Sequence, residues 1–288
     1  MARSANLRGS LWMVASMAGF AVEDAFIKSA AGAIPLGQVI IMMGLLGIAA
    51  FSIMAIIANE PPIPRSVWSR TMAIRSGFEV TGRLFYALAI TLTPISVASA
   101  ILQASPLVVV LGAAVIFGEK VGLRRWLIIL VGFCGVVVIL RPGLDGFDAL
   151  SILAVIGMLG FSGRDLATRA APPSLSNAQL GVAGFVMLTL SGVIILGFSG
   201  GAVLPTMPVL GKILAAAVFG VAGYSAITQA MRTGEVAVVT PFRYTRLLFA
   251  MILGVTVFGE RPDAATLIGS AIIVGCGVLI LATSRRIA

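Results

Sequence analysis

A chain of 288 residues that is 59% hydrophobic, 11% charged and without histidine is not a water-soluble domain, which carries about 25% charged residues. Its mean hydropathy of +1.09 comes from apolar runs that recur from end to end, each about 20 residues and long enough to cross a bilayer core of roughly 30 Å. The net charge of +9 is scattered between those runs, which sets nucleic acid aside as a partner and reads instead as an orientation signal.

Proline, glycine and charge divide the chain into ten candidate spans, at 9–30, 35–58, 71–92, 94–117, 123–140, 149–170, 176–199, 209–231, 235–258 and 263–283. The first holds GFAVEDAFIK, in which Glu23, Asp24 and Lys28 interrupt an apolar run. Charges at membrane depth are costly and face a protein interior or a wet cavity. The third span, RSGFEVTGRLFYALA, places Arg75, Glu79 and Arg83 at successive i, i+4 positions on one helix face, with Phe78 and Tyr86 beside them. Arg75 lies near the inner end and is expected to snorkel to headgroups. Arg83 lies roughly 16 Å in, at about 1.5 Å per residue, and is expected to pair with Glu79 or face a cavity.

The fourth span contributes Gln103, Ser105 and Pro106, the sixth Arg164 and Asp165, and the eighth Tyr224, Ser225 and Gln229. In the ninth, TPFRYTRLL brings Pro241, Arg243, Tyr244 and Arg246 to mid-membrane. There Pro241 frees a backbone carbonyl of the kind that lines transporter cavities. FGEK at 117–120 and FGER at 258–261 read as tight turns organised by Glu119 and Glu260, with Lys120 and Arg261 at the headgroups. Cys134 and Cys276 sit inside apolar runs and read as reduced packing residues. No metal or cofactor is expected: the commonest metal ligand is missing, and no glycine-rich loop follows a strand. An intramembrane enzyme would need a nucleophile–base or metal constellation, and none is present.

The strongest organising feature is an internal repeat. GFAVEDAFIKSA from residue 19 overlays GFSGRDLATRAA from residue 160 without a gap, at a separation of 141 residues. Asp24 falls on Asp165, Lys28 on Arg169, Gln38 on Gln179, Phe78 on Phe219, Gly82 on Gly223, and FGEK on FGER; Glu23 falls on Arg164. A shift of one residue then aligns Cys134-Gly135 with Cys276-Gly277. Five spans per half is an odd number, so the second half crosses the membrane inverted. The expected fold is an all-α membrane protein of ten transmembrane helices, two five-helix inverted-topology repeats (1–141 and 142–288) around a central cavity. With both termini in the cytoplasm, inner segments hold eleven basic residues against four outside, as the positive-inside rule requires.

Inverted repeats are the mark of secondary transporters, which bind substrate near the midplane between the halves. The expected substrate-binding residues are Glu79, Arg83, Gln103 and Arg243, followed by Phe78, Tyr86, Tyr224, Tyr244 and Gln229. Asp24 lies in the outer third of the membrane and Asp165 in the inner third, so they are expected to act as paired gates, with Arg164, Glu23 and Arg246 as accompanying polar groups. Four acids against five arginines leave the buried set at +1. That suits a zwitterion or an organic anion, since a guanidinium grips a carboxylate bidentately and an acid or ring face holds an ammonium.

Two five-span halves, GEK and GER turns after the fourth and ninth spans, VGFCGVVVILRPG closing the first half, and EVAVVTPFRYTRLLFAMILGVTVFGERPDAATLIGSAIIVGCGVLIL in the second together resemble the EamA-like branch of the drug/metabolite transporter superfamily. The resemblance covers essentially the whole chain; that branch includes amino-acid exporters of the YddG type, general metabolite exporters and S-adenosylmethionine importers. It implies a ten-helix basket around a central cavity in a bacterial inner membrane, working by alternating access. The expected partners are lipid and a small molecule, with a monomer as the expected state. Amino-acid export is the first expectation. Transport of S-adenosylmethionine or a nucleoside-like compound is the second, and a channel or structural scaffold the alternative from another class. The third span is poorer in rings than an exporter dedicated to aromatic amino acids would need, which points to a broader or smaller substrate set.

Overall fold

The structure, a computed structural model, describes residues 2–92, 101–140, 150–258 and 264–283, and every regular element among them is helical. In chain order the helices are α1 (Ala2–Ala31), α2 (Leu36–Ile57), α3 (Arg70–Leu92), α4 (Ser105–Phe117), α5 (Leu123–Leu140), α6 (Ser151–Arg169), α7 (Asn177–Ser199), α8 (Met207–Thr233), the four-residue α9 (Val236–Val239), α10 (Thr245–Phe258) and α11 (Ala264–Thr283). Short 3-10 turns occupy Arg65–Trp68 and Thr240–Tyr244. Helices are what so apolar a chain must form, because in hydrocarbon each backbone polar group has to be satisfied within its own segment. Among the described residues four are long and apolar enough to cross a membrane: Ser4–Ala31, Leu36–Ile57, Asn177–Ser199 and Met207–Thr233. Leu45, Ile53, Val115 and Val193 are exposed on the outer helix surfaces, where lipid rather than water is the natural neighbour.

Local chemistry sets several ends. Ser176 opens α7 with a capping box, its hydroxyl accepting from the Gln179 backbone N–H while the Gln179 side chain accepts from the Ser176 backbone N–H at 3.0 Å. Gly118, at φ 67°, closes α4 in the left-handed conformation that glycine adopts without strain. Two expected spans are broken. The fourth turns at Gln103–Ala104 and restarts at Ser105 with Pro106 in its first turn. The ninth divides into α9, the 3-10 turn carrying Pro241, and α10. Proline has no N–H to give and its ring crowds the preceding turn, so a helix stops before it and starts again. Arg141, Glu260, Arg261, Arg285 and Arg286 lie outside the described residues, as does the 141/142 boundary.

The halves interleave. The most extensive pairings are α1 with α8, α2 with α7, α3 with α6 and α5 with α11, each joining one half of the chain to the other. Smaller contacts follow the same rule, α1 with α10 and α4 with α6. Two crossings are glycine to glycine. A Cβ on Gly19 would lie 3.1 Å from the Gly223 Cα, and one on Gly160 would lie 2.4 Å from the Gly82 nitrogen. Small residues let helix backbones approach this closely. The α1–α8 and α3–α6 crossings use positions 141 residues apart, and Phe20 and Phe161 occupy matching places beside them.

Candidate functional site

The face of α3 that carries Arg75, Glu79 and Arg83 is turned toward α6 and α8. Glu79 is fully buried. It lies 3.2 Å from Arg164 Nη1 and 3.5 Å from Arg83 Nε, and accepts a hydrogen bond of 3.0 Å from the Tyr224 hydroxyl. The sequence offered only local partners for Glu79; the one in firm contact is Arg164, 85 residues away. Arg75 does not snorkel. It is fully buried, donating to Thr168 Oγ1 at 2.9 Å and to the Tyr224 hydroxyl at 2.5 Å. The i, i+4 spacing that puts it on the Glu79 face also commits it to the protein interior.

From Arg164 the polar chain continues. Its Nε donates to Asp165 Oδ1 at 2.8 Å, and Asp165 Oδ2 takes Arg243 Nη1. The Arg164 guanidinium also lies over the rings of Phe161 and Tyr224, 5.5 and 5.7 Å from their centroids, a placement in which the ring quadrupole favours a cation. Arg75, Tyr224, Glu79, Arg164, Asp165 and Arg243 thus form one connected layer across the molecule.

The two sides of this layer differ. Toward the C-terminal ends of α1 and α3 lies a cavity of about 90 Å³, lined by Phe20, Glu23, Asp24, Arg83, Tyr86, Leu102, Phe161, Arg164, Arg243 and Arg246. Four arginines against two acids give it positive character. On the other side, the space among Arg75, Thr168, Tyr224, Ile227, Thr228 and Met231 is too small to admit water.

Within the cavity Arg246 pairs with Asp24 and covers the Phe20 ring, and Tyr86 meets Phe161 edge-on at 5.9 Å. The Arg83 side chain is 24% exposed, its Nε makes no hydrogen bond, and its guanidinium lies 5.7 Å from the Phe161 centroid. Arg83 is therefore the cavity guanidinium least committed to protein partners.

Several expected site residues sit elsewhere. Tyr244 is buried with Val136 and Ile273, its hydroxyl directed to the Ile129 carbonyl at 3.5 Å, so it belongs to the packing between α5 and α11. Phe78 is 39% exposed and its ring packs over Gly163 of α6, on a different side of α3 from Glu79. Gln103, buried at the break in the fourth span, and Gln229, half-buried on α8, are not among the cavity-lining residues. Conversely, Phe20, Phe161 and Thr168 were not singled out. The repeat register pairs the two phenylalanines, and Thr168 stands one turn after Arg164, so both signals were available.

At the end of the molecule beyond the filled space, Glu235 accepts from Asn6 at 3.3 Å and pairs with Arg125 at 2.7 Å. Glu119 does more than shape its own turn: it accepts from the Val236 and Ala237 backbone N–H groups, both at 3.3 Å, tying α4 to α9. Arg232 donates to the Leu175 carbonyl at 2.6 Å.

Among the described residues no group of acids, cysteines or histidines could hold a metal ion. Membrane-length helices enclosing a charged cavity are the construction of a membrane transporter. The EamA-like transporter family matches the chain twice, over residues 7–141 and 148–283, and the chain belongs to that family; it is a transporter and not an enzyme. It is 29% identical over 194 residues to a riboflavin transporter of Rhizobium johnstonii, covering 67% of this chain and 64% of that one. It is 26% identical to the pseudopaline exporter CntI of Pseudomonas aeruginosa, covering 96% of each. To an S-adenosylmethionine uptake transporter of Rickettsia bellii it is 21% identical, over 71% of this chain and 70% of that one. A crystal structure at 22% identity superposes with a TM-score of 0.79 over 100% of this chain and 99% of the other, which establishes the likeness of fold.

Proposed function

We propose that the chain is a secondary transporter of the bacterial inner membrane that exports amino acids by alternating access. In this reading ten spans, arranged as inverted repeats 1–141 and 142–288 with both termini cytoplasmic, surround the cavity. The observation that carries it is the asymmetry across the Glu79–Arg164 layer, with a cavity of about 90 Å³ on one side and no space for water on the other. With cytoplasmic termini, the roomy side faces the periplasm. Interleaved pairing of the halves and glycine crossings 141 residues apart support the inverted repeat. Asp24 and Asp165 bridge to Arg246 and Arg243, which line the same cavity; their action as paired gates is part of this proposal.

Arg83 is the proposed carboxylate anchor and Arg243 its support. A charge-assisted hydrogen bond contributes about 1.5–3 kcal/mol, so Arg83→Ala and Arg243→Ala are each expected to lower amino-acid counterflow in proteoliposomes at least tenfold while still eluting as monodisperse protein. Normal counterflow in both variants would remove the site assignment.

The ion pairs at the far end act in this scheme as the cytoplasmic closure. Glu235→Ala removes the carboxylate's bonds to Asn6 and Arg125 and leaves the 2.8 Å bond from its backbone N–H to Asn6 Oδ1. In a protein lacking native cysteines, a cysteine at Thr228 is expected to label several-fold faster with an impermeant thiol reagent from the N-terminal face when Glu235→Ala is present. Unchanged labelling would show that the closure lies elsewhere.

A second reading, transport of S-adenosylmethionine or a nucleoside-like compound, draws on the Rickettsia relative and on the Tyr86–Phe161 ring pair in the cavity. A thermal-shift screen of the purified protein against amino acids, nucleosides and cofactors separates the two.

A further inference from the structure

The two glycine crossings are alike in backbone and unlike in charge. Where α3 crosses α6, Glu79 faces Arg164 at 3.2 Å. The 141-residue register carries Arg164 onto Glu23 and Glu79 onto Gly220. Where α1 crosses α8, an acid therefore faces a glycine: a Cβ on Gly220 would lie 3.1 Å from Glu23 Oε1. One crossing has its acid and its base. The other has an acid packed against a glycine, with no base opposite it.

Glu23 is 3% exposed and lines the cavity, and among the described residues no hydrogen bond or ion pair reaches its carboxylate. The charges acting on it are those of Arg83, Asp24 and Arg246. Neither arginine makes a hydrogen bond or ion pair to Glu23: Arg246 is held by Asp24, and Arg83 leans toward Glu79 at 3.5 Å. A buried carboxylate left without a partner is costly, so its counter-charge is best supplied by what enters the cavity.

We propose that Glu23 is the ammonium-binding group of the transport site, taking the cationic nitrogen of the transported metabolite on the side of its carboxylate that lines the cavity, as the counter-charge that the related crossing supplies from within the protein. This rests on the transporter reading above and narrows its substrate to molecules that carry an ammonium together with an anionic group for Arg83. The cavity chemistry favours an organic cation over a metal ion. Glu23 and the Arg246-paired Asp24 offer too few free oxygens, among four arginines, for a hard divalent ion, whereas an ammonium needs only the one unpaired carboxylate.

The test uses the purified full-length protein with three probes: leucine, its decarboxylated amine 3-methylbutylamine, and its deaminated acid 4-methylpentanoate. Binding is measured by thermal shift, and leucine counterflow in proteoliposomes. Glu23→Gln is expected to weaken amine binding at least tenfold and leave the acid unchanged; Arg83→Gln is expected to do the reverse. Glu23→Asp, which keeps the charge one methylene shorter, is expected to retain part of the amine binding, and it carries the test if Glu23→Gln does not fold.

Amine binding that depends on Glu23 without leucine counterflow would overturn amino-acid transport and uphold the Glu23 site. Leucine counterflow with undiminished amine binding in Glu23→Gln would do the opposite. A Glu23→Gln variant that loses only its response to an imposed pH gradient would make Glu23 a proton carrier and overturn the proposal. Absence of binding by all three probes would overturn both.

Discussion

Glu79→Ala is expected to lose most of its folded, monodisperse protein on extraction in mild detergent. The carboxylate is fully buried among Arg164, Arg83 and the Tyr224 hydroxyl. Its removal leaves Arg83 without its acid, and leaves Arg164 to share Asp165 with Arg243, in a low-dielectric interior. Breaking a buried pair by deleting one partner costs about 3–5 kcal/mol, a large share of a total stability of roughly 5–15 kcal/mol. Glu79→Gln keeps the shape and an acceptor for Tyr224 and is expected to fall between alanine and wild type. Adding Arg164→Ala to Glu79→Ala should recover part of the loss, because the double variant no longer strands the charge that Glu79 faced. Thermal unfolding followed by tryptophan fluorescence reads all three. A melting temperature for Glu79→Ala within a few degrees of wild type would show that the layer does not hold the fold together.

Gly160→Ala is expected to be nearly as damaging, for a reason unrelated to charge. Its Cβ would meet the Gly82 nitrogen at 2.4 Å and the Gly82 Cα at 2.6 Å. These are backbone atoms that yield only if α3 and α6 move apart. Overpacking of this kind typically costs about 1–3 kcal/mol, and here it also lengthens the Glu79–Arg164 contact. Gly19→Ala meets its neighbour at 3.1 Å and should be milder. Gly77→Ala, with nothing within 4 Å, should be neutral or slightly stabilising, since alanine is favoured over glycine in a helix by about 1 kcal/mol. The ranking of melting temperatures, Gly77→Ala above Gly19→Ala above Gly160→Ala, is the check. Any other order would mean that these crossings are not the tight points of the bundle.

Much of this was legible before any coordinates. Hydropathy gave the helices, and the unbroken register between GFAVEDAFIKSA and GFSGRDLATRAA foreshadowed the matched crossings. The i, i+4 spacing put Arg75, Glu79 and Arg83 on one face. What it could not supply was the partner across the gap. Arg164 and Tyr224 lie 85 and 145 residues from Glu79, and no local periodicity reports on such a distance. Arg75 was misjudged because its depth was weighed without the direction of its face. Tyr244 stands in a 3-10 turn, at about 3.0 residues per turn against 3.6, and its hydroxyl is directed to the Ile129 carbonyl, a rotation that hydropathy does not report.

The unequal crossings also bear on how such a chain can arise. Two identical copies of the first half, assembled as a dimer, would place a Glu23 against a Glu79 at both crossings, two acids face to face. Two copies of the second would set Arg164 against Gly220 twice, a buried cation with only its neighbour Asp165 for counter-charge. Two different halves can put acid opposite base at one crossing and leave the other acid without a base. The difference between the halves is thus what lets two crossings of like backbone carry different chemistry.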